Sequence, residues 1–483
     1  MRKRLTLILA VGVSPFLLLA QQKFSDEVRK YITVDAPAFA ITHVRVIDGT
    51  GAAAKEDQTI MVKGGRIVAL RDTARVTIPP GFQVFDKSGY TLLPGLVGMH
   101  DHLYYTASLA MDDKGGLLAP GFFLNELPIT APRLYLASGV TTIRTTGSIE
   151  PYTDLSIKRH VDDGTMPGPK MHLTAPYLEA SPGATNIPQL YELKSPEEAH
   201  RFVAFWADSG FTSLKGYMNL TRAELKSVVE EAHKRGLKVT AHLCSIGYLE
   251  AAETGIDNLE HGFAVDTEFF AGKKPDQCPS QRDAIGALLK LDVKSPEVQR
   301  TFRTLIDKHI AVTSTLPVFE SGEGHRPQPQ KRVLDAMSLE TREGYLARIT
   351  KTAPDDAFLK KAMQLEYAFV KAGGTLLAGS DPTGNGGTLP GFGDQREVEL
   401  LVEAGFTSLE AIKIATLNGA QFLAEADRIG SIAEGKQADL ILIHGNPADK
   451  IADIENVETV FKDGIGFDSQ KLINSVRGQV GIH

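Results

Sequence analysis

Apolar and polar positions alternate at period two in short runs near both ends of the chain. Near the start these runs are Ala40–Val46, Thr59–Val62 and Arg66–Leu70, and near the end Ala438–Ile443 and Val457–Phe461, with Lys462-Asp463-Gly464 as a turn. Such alternation between turn signals predicts half-buried strands. The two stretches, 38–92 and 426–468, read as halves of one small β-sandwich. Between them, over 93–425, apolar strand-like runs alternate with helix-period segments such as Ala223–Arg235 and Ser408–Ala424. Strand ends are expected at Leu96–His102, Thr141–Thr145, Met171–Ala175, Thr212–Tyr217, Lys238–His242, Ile256–His261, Ala311–Leu316 and Thr375–Asp381. Asp381 lies 281 positions after His100, or about 35 to 40 per repeat, the size of βα units in a (β/α)8 TIM barrel. The fold class expected is therefore α/β: one TIM barrel plus a discontinuous β-sandwich.

Outside these units, Met1-Arg2-Lys3-Arg4 followed by the apolar run Leu5–Ala20 reads as a signal peptide over 1–20, too short and too interrupted by Ser14 and Pro15 to span a bilayer. Secretion or a periplasmic location follows as an expectation, with no stable membrane span after cleavage. A polar linker is expected over 21–37 and a tail over 469–483. Two connections are long, 263–310 and Glu320–Lys331, and at the strand C-termini of a barrel they would form a lid or recognition loop, or else passive insertions.

Composition narrows the partners. The 483 residues are 42% hydrophobic and 23% charged with a formal net charge of -7, so a basic face for nucleic acid is not expected. Two cysteines, Cys244 and Cys278, exclude a disulfide framework and a multi-cysteine metal site. One bridge or two thiols are both open, and Cys244, two residues after His242, is also open as a ligand.

The candidate chemistry lies at the strand ends. Leu93-Pro94-Gly95-Leu96-Val97-Gly98-Met99-His100-Asp101-His102 places His100 and His102 on one face of a strand and Asp101 on the other. Paired imidazoles suit a zinc-type divalent ion, although one His-x-His carries little weight alone. Further strand ends add Ala241-His242, Glu260-His261-Gly262 and Gly379-Ser380-Asp381. In a barrel such ends converge on one mouth, which brings four of the 13 histidines together with Asp381.

These motifs, with Ile429–Leu440 near the C-terminus, make the chain resemble the amidohydrolase superfamily, in its imidazolonepropionase-like and prolidase-like branch. The resemblance implies two Zn2+ ions bridged by a carboxylated lysine, here Lys215 in Ser213-Leu214-Lys215-Gly216-Tyr217, with a single ion left open. By the same resemblance His100, His102 and Asp381 would hold one ion, His242 and His261 the other, and Lys215 both. The activity implied is hydrolysis of a dipeptide or N-acyl amino acid by a metal-activated hydroxide, with Asp381 as general base and then acid. A cyclic amide of imidazolone or lactam type is the alternative, and a non-catalytic binding descendant of the fold the third reading. Tyr217 is the candidate oxyanion donor and a substrate contact. Arg144 is a candidate receptor for a substrate carboxylate, although Thr145 follows it where the family often has aspartate. His172 and His325 are weaker substrate-binding candidates, with a structural or solvent-exposed role as the alternative for each. Charges near Asp394-Gln395-Arg396-Glu397 are expected to form a solvated helix face. A homo-oligomer remains open.

Overall fold

The computed structural model describes residues 24–108, 122–180, 187, 189–321, 326, 330–351, 355–382 and 387–481. The expected signal peptide and His325 lie outside them. Among the described residues, no helix is long and apolar enough to cross a membrane.

The middle of the chain is mixed α/β with parallel strands. In chain order they are β1 Leu96–Asp101, β2 Val140–Thr145, β3 in two segments Lys170–His172 and Thr174–Ala180, β4 Ser213–Gly216, β5 Lys238–Ala241, β6 Asn258–Glu260, β7 Ala311–Ser314 and β8 Leu376–Ala378. One parallel sheet joins β1, β2 and the first segment of β3; another runs from the second segment of β3 through β4, β5, β6, β7 and β8. Each expected strand is present; six are shorter than expected, while β2 begins one residue earlier and β3 runs on to Ala180. Strands such as Val140–Thr145 and Ala311–Ser314 are buried along their whole length, which suits β-branched residues covered on both faces.

Two seams join the sheets. At one, the chain itself passes from Lys170–His172 into Thr174–Ala180. At the other, Asp381 N–H donates to the His100 carbonyl at 2.9 Å. The backbones approach so closely there that a Cβ on Gly379 would lie 2.5 Å from His100 N. Gly95 has a matching role at the start of β1, where a Cβ would lie 2.0 Å from Thr141 Oγ1.

Both chain ends enter one nine-stranded sheet. Tyr90–Pro94 pairs antiparallel with Leu440–His444, matching Pro94 to Leu440 and Tyr90 to His444. The stretch expected as linker contributes a helix, Asp26–Arg29, and a strand, Ile32–Val34, which pairs with Ile465–Asp468. The expected tail carries the helix Ser469–Asn474. Each of these elements is only three to six residues long, below the length at which periodicity is visible in a sequence.

The helix Arg222–Lys234 begins with a reciprocal cap between Thr221 and Glu224. Ser408–Ala424 is divided: α-helix over Ser408–Lys413 and Gly419–Phe422 flanks a π-helical turn, Ile414–Asn418. The helix Phe392–Glu403 corrects another expectation, because Asp394, Gln395 and Glu397 are buried rather than solvated. Asp394 accepts from Gly391 N–H at 2.9 Å and from Ser380 Oγ at 3.2 Å, which ties the helix to the end of β8. An antiparallel hairpin, Tyr104–Ser108 with Phe122–Glu126, follows β1 and was not foreseen.

Candidate metal centre

The strand ends do converge. His100 and His102 lie at the end of β1, Lys215 in β4, His242 just past β5, His261 just past β6, and Asp381 beyond β8. All six line one cavity of about 220 Å³. Potential ligand atoms of His100, His261 and Asp381 lie within 4.8 Å of one another. His102 flanks this trio, with Nε2 3.2 Å from Asp381 Oδ1. On the opposite side His242 is 4.3 Å from His261 between ring centroids.

Local backbone geometry aims two of these groups. His261 and Asp381 have φ of 68° and 46°, a left-handed conformation that costs a non-glycine residue on the order of 1 kcal/mol and is found where a site demands it. The turn at His261 is held by the Tyr248 hydroxyl, 3.0 Å from the Glu260 carbonyl and 2.8 Å from that of Gly262.

Electrostatics prepare the same groups for a cation. Burial lowers His100 to about 4 and His242 to about 3. It also lowers His102 and His261, so all four imidazoles are neutral with lone pairs to offer near neutral pH. Burial opposes ionisation of Asp381, but the close approach of His100 and a hydrogen bond from His102 outweigh it and hold the carboxyl well below its usual range. Burial brings Lys215 down to about 8. Its Nζ has no hydrogen-bond partner among the described residues. Four neutral imidazoles and a carboxylate that line one cavity form a nitrogen and oxygen donor set that suits a divalent cation.

A residue without an assigned role in the sequence completes the centre. Glu260 Oε2 accepts from His100 Nδ1 at 2.7 Å, which leaves Nε2 as the free ring nitrogen and sets the tautomer. Thr315 Oγ1 is 2.9 Å from His261 Nδ1. Arg144, expected as a substrate receptor, instead donates to Glu260 Oε1 at 2.7 Å and to Asn258 Oδ1 at 2.8 Å, and also to the Met99 carbonyl. It is buried and does not line the cavity. The correction follows from strand geometry: its position on β2 points the long side chain into the core beneath the ligands, where the carboxylate of Glu260 neutralises it.

Other expectations resolve similarly. Tyr217 lines the cavity, with its ring 5.2 Å from that of His242. Asp101 faces away and accepts from Ser380 Oγ at 3.1 Å. His172 is remote and 3.4 Å from Glu425. Cys244 and Cys278 form a disulfide, with Cα atoms 4.9 Å apart, so Cys244 is not a ligand. None of the described lining residues comes from 263–310 or Glu320–Lys331. The wall expected there is supplied by Tyr104, Thr106 and Leu124 of the hairpin, with Tyr177, Ile187 and Leu190. The spacing of Tyr104, two residues beyond His102, was the available signal.

The amidohydrolase family pattern matches residues 91–271 and 368–465, more than half of the chain. The chain belongs to the amidohydrolase family. It is an enzyme, as its strand-end motifs led us to expect. Ochratoxinase of Aspergillus niger is 23% identical over 411 residues, covering 74% of this chain and 71% of that enzyme. An N-acyl-D-aspartate deacylase of Alcaligenes xylosoxydans xylosoxydans is 29% identical over 214 residues, which are 42% of this chain and only 36% of the relative's length. Among solved structures, a Xaa-Pro dipeptidase with methionine bound in its active site superposes with a TM-score of 0.63 at 20% identity, over 89% of this chain and all of that one. At that identity the amidohydrolase shares a fold with it.

Proposed function

We propose that this amidohydrolase cleaves the amide of a dipeptide or N-acyl amino acid at a centre built by His100, His102, Lys215, His242, His261 and Asp381. The observation that carries this reading is the convergence of four neutral imidazoles, an ionised carboxylate and an unpartnered buried lysine on one cavity. His100, His102 and Asp381 would hold one divalent ion, His242 and His261 a second, and Lys215 both. Held there, the ions supply Lewis acidity toward the carbonyl and lower the pKa of water.

The chain's own groups do the rest. In its deprotonated form, which burial makes more accessible, the Lys215 amine can add CO2 and release a proton, giving a carbamate with oxygen ligands. Asp381 accepts a proton at a carboxylate oxygen as the carbonyl is attacked and returns it to the departing amine. Tyr217 is poised to donate its phenolic hydrogen to the carbonyl oxygen as charge develops. Glu260 keeps His100 in the ligating tautomer.

The unpartnered lysine supports the two-ion, linear-amide reading over ring opening at a single ion. The same proposal extends to the architecture: the two parallel sheets close as one (β/α)8 barrel over 93–425, and 38–92 with 426–468 fold as a sandwich. The disulfide supports export to an oxidising compartment.

Asp381→Asn tests the mechanism. The variant should keep the wild-type circular dichroism spectrum and much of its metal while losing at least about a thousandfold in kcat, as removal of a proton-transfer group typically does. Near-wild-type turnover by the folded variant would remove Asp381 from its role.

A further inference from the structure

Outside the ligand cluster and Tyr217, the cavity is bounded by uncharged side chains from three separate segments. Tyr104 and Leu124 belong to the hairpin after β1, Tyr177 to β3, and Ile187 and Leu190 to the chain that follows it. Tyr104, Leu124 and Tyr177 form one buried apolar cluster, against which Ile187 and Leu190 pack half-buried. The hydroxyls of Tyr104 and Tyr177 are hydrogen-bonded to each other, and that of Tyr177 also lies 3.5 Å from the ring nitrogens of His102, so both phenols are engaged within the protein.

The wall is assembled by one side chain. Leu124 N–H donates to Gln189 Oε1 at 3.1 Å, and Gln189 Nε2 donates back to the Leu124 carbonyl at 3.0 Å. This reciprocal pair uses both ends of the Gln189 amide as a strand neighbour would, and it fixes the Ile187–Leu190 segment against the hairpin. With Arg144 neutralised by Glu260, the charged groups lining the cavity among the described residues all belong to the ligand cluster.

We infer that this wall is a specificity pocket for an uncharged apolar group, aromatic or branched aliphatic, next to the scissile amide, and that Gln189 is its positioning residue. The inference rests on the proposed amide hydrolysis and names its substrate class. The cavity of about 220 Å³ is smaller than the roughly 300–1,000 Å³ of sites for drug-sized ligands, which suits one side chain rather than a large acyl body. Desolvation supplies the selection: a carboxylate or ammonium placed against these carbons loses its water without gaining a partner.

The test is steady-state kinetics on dipeptides and N-acetyl amino acids that differ only in the side chain beside the amide: Phe, Leu, Asp and Lys. kcat/KM for Phe and Leu should exceed that for Asp and Lys by about tenfold or more, mostly through KM, as expected of an apolar pocket. Leu190→Asp should reverse the preference toward Lys, an outcome that unfolding cannot mimic. Gln189→Leu keeps the bulk but loses both hydrogen bonds, and should raise KM for the Phe substrate several-fold with a smaller change in kcat. Equal kcat/KM across the four side chains, or an order unmoved by Leu190→Asp, overturns the inference and leaves amide hydrolysis standing. Should none of the amides be cleaved, calorimetric titration with free phenylalanine and free aspartate decides. Tighter binding of phenylalanine, lost in Leu190→Asp, supports the pocket without the proposed reaction; equal binding overturns it.

Discussion

Glu260 couples three strands through one carboxylate. It accepts from His100 on β1 and from Arg144 on β2, and Thr240 Oγ1 on β5 donates to it. Burial works against its ionisation, yet Arg144 and His100 hold it well below the usual carboxylate range. Glu260→Gln should weaken metal binding by about 10- to 100-fold, the effect typical of losing a partner that orients a ligand. It should also lower the melting temperature, because Arg144 is left as a buried unpaired charge. The double variant Arg144→Met/Glu260→Gln separates these effects: melting should recover in part, while metal affinity measured with a chromophoric chelator should not. Recovery of affinity would reduce Glu260 to a counter-ion for Arg144. His100, His102, His242, His261 and Asp381 were legible in the sequence because each stands at the end of an apolar run, whereas Lys215 was legible only through the family resemblance. The role of Arg144 was not, since its partner lies 116 positions away and nothing local distinguishes an arginine under a site from one within it.

At the level of elements, spacing located the parallel strands and missed what is inserted between them. The hairpin pairs Tyr104 with Glu126 across a separation too wide for a turn signal to reveal. Periodicity also could not distinguish the buried polar face of Phe392–Glu403 from a solvated one, because both repeat at the same period. The helix Ala357–Lys371 packs another acid inward: Glu366 accepts from Ser314 Oγ at 2.7 Å, and burial raises its pKa from 4.5 to about 8. Between those values the folded protein holds a proton that the unfolded chain has released, so this group makes stability fall as pH rises from 4.5 toward 8. Glu366→Gln should therefore melt higher than wild type at pH 8, with the difference closing toward pH 4.5. A difference independent of pH would show that Glu366 is ionised in the fold. The Cys244–Cys278 bridge closes a loop with a sequence separation of 34, worth about 3–4 kcal/mol by loop entropy. Reduction, or Cys278→Ser, should lower the melting temperature by several degrees; an unchanged transition would mean that 245–277 is held by packing alone.

For the whole molecule, the division into a central α/β unit and one sheet shared by both chain ends was readable from the change of hydrophobic period along the chain. What the spacing of motifs could not convey is that one cavity carries both the cluster of histidine, aspartate and lysine side chains and an uncharged wall. That arrangement makes the metal the central claim. The direct measurement is release of primary amine from a set of dipeptides and N-acyl amino acids by the metal-loaded enzyme, before and after a chelator. The account predicts amine release that the chelator abolishes and added divalent metal restores. Amine release unaffected by complete removal of metal, or silence from a fully loaded sample, would contradict it.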